Sequence, residues 1–135
     1  MSMTLDKLPP HLRRYVGKPQ PAYESAGQAA IGKMLDDYGI PFFYKQPTLV
    51  IDRGRRKVCH PDFTLPTYDS MVIEYHANGA RTTTATRGDV YRRNDIAALF
   101  LDRSELASPD WQQRLYDRLE ELYRQPFIER CRQRR

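Results

Sequence analysis

Apolar and polar positions alternate along this chain with two different periods, and the switches between them mark the elements. From Tyr23 to Tyr38 the apolar residues Tyr23, Ala30, Ile31, Met34, Leu35 and Tyr38 recur at helical spacing, and Gly39 stands where a left-handed C-terminal cap belongs. That pattern predicts a helix with one buried face. "IPFFYKQPTLVID" then turns β-branched and aromatic, interrupted by Pro47, and Gly54 in "DRGRRK" marks a tight turn before "VCHPDFTL". Three successive strands are expected at about 42–52, 57–65 and 70–76. After the polar segment "ARTTTATRGD", a short helix around "DVYRRN" leads into "IAALFL", an apolar run suited to a buried strand. Ser108, Pro109 and Asp110 signal a helix start, and Trp111, Leu115, Leu119 and Leu122 form a stripe on a helix reaching about Gln125. The predicted order is α-β-β-β-α-β-α, an α/β domain. No internal repeat is present.

Length and composition confine this pattern to one domain. The chain has 135 residues, 40% hydrophobic and 29% charged, which fits one ordinary core. Residues 1–20, with Pro9, Pro10, Pro19, Arg13, Arg14 and Lys18, read as a basic arm. Residues 21–125 make the domain, and 126–135, ending "RCRQRR", make a basic tail. Twenty-two Lys and Arg against 17 Asp and Glu leave a net charge of +5, which favours acidic partners such as nucleic acid. Cysteine occurs only at Cys59 and Cys131, which implies neither a disulfide scaffold nor a zinc knuckle. A reducing compartment is the expectation. No apolar run approaches a membrane span, and Met1 to Gln20 lacks the apolar core of a signal peptide, so a cytoplasmic location is expected.

The chemistry concentrates in "CHPDFTLPTYDSMVIEYH", Cys59 to His76, where Asp62 and Glu74 interrupt strand-like apolar runs. Alternate strand residues share a face, so Glu74 and His76 point the same way. A hairpin centred on Tyr68 places Asp62 directly across from Glu74. Facing carboxylates repel unless a cation neutralises them, and hard oxygen donors of this kind suit magnesium or manganese. The plainer alternative is two acids on the wet side of an antiparallel sheet. A third reading puts His60 across from His76, so that His60, Asp62, Glu74 and His76 hold zinc or another transition metal. His60 precedes a proline, which favours a strand end instead.

"PDFTLP" followed by "MVIEYH" resembles the signature of the PD-(D/E)XK nuclease superfamily, in particular its small single-domain members similar to very-short-patch repair and restriction-type endonucleases. The resemblance runs from about Glu24 to Leu122. It implies a restriction-endonuclease-like αβββαβ core, a mixed sheet flanked by helices, here with an extra C-terminal helix. It also implies a magnesium- or manganese-dependent endonuclease acting on DNA, with Asp62 and Glu74 as metal ligands and His76 where the family has a lysine. In the family a further acid usually comes from the first helix; the matching position here is Gln28, with Glu24 one turn earlier. The two departures are instructive. Histidine can position or deprotonate a water near neutral pH but brings no fixed charge, and glutamine can orient but lends none. A catalytically silent nucleic-acid-binding module of the same fold is therefore the alternative.

The basic residues divide into two groups. Arg53, Arg55, Arg56 and Lys57 sit at a hairpin tip, where charge usually only solvates. Arg81, Arg87, Arg92 and Arg93 follow the acids and are the expected DNA contacts, in the place where the family's substrate groove lies. Thr82, Thr83, Thr84 and Thr86 could add hydroxyls toward phosphate oxygens. Many nucleases of this size cut two strands by pairing two copies, so the resemblance also admits a homodimer.

Overall fold

The computed structural model of the chain describes residues 21–77 and 81–132, without the side chains of 81–85. Expectations for the arm, the tail's end, the Arg81 side chain and Thr82–Thr84 lie outside this description. Helix α1 spans Ala26–Asp37, later than the predicted start. Its N-cap is Ser25, whose Oγ accepts from the Gln28 N–H at 3.1 Å. Gly39 terminates it at φ 69°, as predicted. Ile31, Met34 and Leu35 fill its buried face, and a Cβ on Gly27 would collide with the Tyr75 ring, so that position brings α1 close to the sheet.

Two of the three expected strands are each cut in two. The first divides into β1, Phe43–Tyr44, and β2, Thr48–Asp52, because Lys45 takes a left-handed backbone (φ 55°) and Pro47 follows. The second divides into β3, Arg55–Cys59, and β4, Phe63–Leu65, around His60 and Pro61. Strands β2 and β3 form a separate two-stranded hairpin, closed by Arg53 and Gly54 at φ 53° and 75°. Two successive residues with positive φ match the right-handed twist of the flanking strands.

The main sheet has the order β1-β4-β5-β6, with β5 at Met71–His76 and β6 at Ala98–Asp102. Strands β1, β4 and β5 are antiparallel neighbours, and β6 runs parallel to β5. Phe63 pairs with Ile73 and Leu65 with Met71, the register that a hairpin centred on Tyr68 demands. Helix α2, Arg81–Arg93, makes the crossover to β6 and takes in most of the polar run expected to precede a shorter helix. Packing outweighs the weak propensity of its threonines, since Tyr91 is buried against Phe100.

A short helix α3, Arg103–Leu106, opens with a capping box between Asp102 and Glu105. Helix α4, Trp111–Arg124, buries Leu115, Leu119 and Leu122. The segment expected to be a tail is helical over Phe127–Arg132, here α5, and its Cys131 joins the core. Buried Arg130 pairs with Asp69 at 2.7 Å and stacks on Tyr123 and Phe127.

Helices α1 and α4 cover one face of the sheet through Ile31, Leu35, Phe63, Ile73, Leu99, Leu115 and Leu119. Helix α2 covers the other through Val72, Tyr91, Ala98 and Phe100. The result is an α/β architecture with a mixed four-stranded sheet flanked by helices. No helix among the described residues is long and apolar enough to cross a membrane.

Candidate functional site

The register that joins β4 to β5 carries Asp62 opposite Glu74 at one end of the sheet, and both are buried, at 4% and 0% exposure. Two carboxylates without water must be satisfied from within the protein. The Asp62 N–H donates to Glu74 Oε1 at 2.9 Å, which ties the two acids together through backbone. The Asp62 carboxylate turns toward α1: Oδ1 accepts from Gln28 Nε2 at 3.1 Å and Lys45 Nζ at 2.8 Å, while Oδ2 accepts from the Tyr75 N–H at 2.8 Å. The Glu74 carboxylate turns toward α2, where Oε2 accepts from the Tyr91 hydroxyl at 2.9 Å and pairs with Arg87 at 3.1 Å. One helix therefore grips each acid.

Gln28 is buried, its Oε1 accepting from the Tyr44 hydroxyl at 2.6 Å and from the Glu24 N–H at 3.0 Å. It fixes Asp62 in place, as a glutamine can. Glu24 stands before the N-cap rather than on α1, because Ser25 starts the helix. Its exposed carboxylate reaches Asp62 only through Lys45, which it meets at 2.9 Å.

Lys45 is the residue that sequence reasoning missed. Its ammonium bridges Glu24 and Asp62, and though burial lowers its pKa, hydrogen bonds to the two carboxylates outweigh that and hold it well above the ordinary lysine value. No local pattern marks it; its proximity follows only from β1 pairing with β4. Tyr91 was missed too, although its spacing of four from Arg87 on α2 puts both on one face.

Burial pushes the Glu74 pKa up, Arg87 opposes that, and the Asp62 charge adds to it. His76 shares the face of Glu74 but is hydrogen-bonded to neither acid's carboxylate. Its ring stacks on Phe100, with centroids 5.6 Å apart, and its buried Nε2 has no hydrogen-bond partner among the described residues. Burial and then Arg87 lower its pKa, so the imidazole is neutral at pH 7. His60 is exposed, and among the described residues no three His, Cys, Asp or Glu side chains gather as metal ligands, so the four-ligand zinc arrangement does not form.

Among the expected DNA contacts whose side chains are described, Arg87 alone touches the acid pair. Arg92 pairs with Asp89 at 2.6 Å, and exposed Arg93 donates to the Asp89 carbonyl at 3.3 Å. Compared with known proteins, the chain matches no family model, no curated protein and no solved structure.

Proposed function

We propose that the chain is a metal-dependent DNA endonuclease, hydrolysing phosphodiester bonds, with a restriction-endonuclease-like core. The order α1, β1, β4, β5, α2, β6, with the β2–β3 hairpin as an insertion, supports that fold. One observation carries the functional reading: two carboxylates buried side by side, each faced by a long, half-exposed basic side chain. Buried, charge-compensated acids of this kind concentrate where charge is handled during a reaction.

The donors fit a divalent cation. Asp62 and Glu74 offer hard carboxylate oxygens, and Lys45 and Arg87 together bring the two positive charges that one magnesium would bring. Bound between Asp62 and Glu74, magnesium or manganese would supply Lewis-acid stabilisation of phosphate charge and acidify a water. Gln28 and the Tyr75 N–H orient Asp62; Tyr91 and the Asp62 N–H orient Glu74. Half-exposed Lys45 and Arg87 would turn from the acids to meet phosphate oxygens, giving back the fixed charge that His76 lacks. Neutral His76 would position or deprotonate the attacking water. Arg92 and Arg93 extend basic charge along α2 for the DNA backbone.

A specific observation favours a second reading, a silent nucleic-acid-binding module: every oxygen of the acid pair already accepts a hydrogen bond within the protein. Cleavage of labelled duplex, branched and single-stranded oligonucleotides separates the two. The nuclease reading expects products with magnesium or manganese, none with chelator, and none from Asp62→Ala or Glu74→Ala. Intact substrate under all conditions, with gel shifts unchanged by chelator, would replace it with the binding module.

A further inference from the structure

The β2–β3 hairpin stands apart from the main sheet and carries four basic residues in five positions, Arg53, Arg55, Arg56 and Lys57. Residues 53–58 are all exposed. The hairpin is held along the face turned to α2, close to its tip. Val50 is buried, and the Asn94 side chain clasps Ile51 from both sides of its peptide, accepting from its N–H at 2.8 Å and donating to its carbonyl at 2.9 Å. The single acid near the tip, Asp52, is matched by Lys57 at 2.9 Å, while Arg55 and Arg56 have no ion-pair partner among the described residues. The cross-strand register sends Leu49, Ile51, Arg56 and Val58 to the face turned away from α2. That face mixes charge with exposed apolar side chains.

We infer that this hairpin is a ribbon that enters a groove of double-stranded DNA, so that the substrate is a duplex held beside the acid pair. This rests on the nucleic-acid reading above. Five-residue strands make a ribbon about 17 Å long, and a major groove about 12 Å wide admits two strands of sheet. Arginines at the tip meet phosphates on the groove walls, and Ile51 and Val58 suit sugar and thymine-methyl surfaces. Placement agrees with the chemistry. Only His60 and Pro61 separate β3 from Asp62, and a cavity of about 150 Å³ between hairpin and α2 is lined by both Lys57 and the Arg87 that faces Glu74.

The test is fluorescence anisotropy of the full chain with labelled duplex and single-stranded DNA over a salt series, in chelator so that nothing is cut. The variant is Arg53→Asn, Arg55→Ala and Arg56→Ala together. Asparagine tolerates the positive φ of position 53, so the turn keeps its geometry. A far-ultraviolet circular dichroism spectrum matching wild type checks that the fold is kept. The inference expects duplex affinity to fall roughly 10-fold or more and the slope of log K against log salt to shrink by roughly 2 to 3. It expects single-strand affinity to change much less. Wild-type affinity and slope in the variant would overturn it, as would equal losses for single strand and duplex. Anisotropy-matched binding to phosphatidylserine vesicles that is lost in the same variant would also overturn it, assigning the hairpin to a lipid surface. Because no cleavage enters the measurement, a failed nuclease reading leaves this result intact, and the reverse.

Discussion

Lys45 concentrates the chemistry of the site in one residue. Its left-handed backbone breaks the first strand and aims the ammonium at Asp62 and Glu24. On the proposed reaction, Lys45→Met removes a charge aimed at the phosphate and should lower kcat about 100-fold, the scale of losing one preorganised electrostatic donor. Steady-state cleavage with saturating magnesium checks this; an unchanged kcat would make Lys45 only a structural partner of Asp62. Glu74 gives a prediction with a definite sign. Its pKa is raised in the folded state, so the folded chain holds a proton that the unfolded chain has lost, and stability declines as pH rises past the ordinary value of 4.5. Glu74→Gln removes that decline. Its melting temperature should therefore gain on wild type as pH climbs from 4.5 to 7, in parallel calorimetric scans; a gap that moves the other way would mean that ionised Glu74 is net stabilising. Asp62 and Glu74 were legible in the sequence because charge inside apolar alternation is costly and conspicuous. Lys45 was not, because "FFYKQP" carries no local mark of which strand its neighbour will be.

Among the elements, β2 and β3 show where local reading stops. Each was legible as extended chain, yet the sequence pattern joined β2 to β1 and β3 to β4 across Pro47 and Pro61, when those prolines mark the points where the chain leaves one sheet for another. Helix α2 was underestimated for the converse reason, since threonines weaken a helix locally and tertiary packing restores it. The clasp of Asn94 on Ile51 replaces a missing strand neighbour with a side-chain amide. Asn94→Ala should cost about 1–3 kcal/mol, since the side chain also donates to the Val90 carbonyl and three hydrogen bonds go at a partly exposed site. Hydrogen exchange at the Ile51 amide should accelerate while exchange in β5 changes only by that global loss. Uniform acceleration through both elements would mean that the hairpin and the sheet open as one unit.

At the scale of the molecule, the two helical layers have a shared consequence. Helix α1 holds Asp62 through Gln28 and α2 holds Glu74 through Tyr91 and Arg87, so the acid pair is positioned only when both layers are docked on the sheet. The α/β class and the β4–β5 register were legible because periodicity and the Tyr68-centred turn specify them. The helical grip was not, because it depends on layers meeting across long chain separations. On the proposed function, Lys45 and Arg87 occupy the charge balance that a divalent cation would otherwise supply to the two acids. Thermal unfolding with increasing manganese, in wild type, Asp62→Ala and Glu74→Ala, tests it most directly, because an ion that binds only the folded chain raises Tm with concentration. A rise of Tm in wild type that disappears in both variants is the predicted result. No rise in wild type, or the same rise in all three, would contradict the claim and leave the pair as an internally neutralised anchor for α1 and α2.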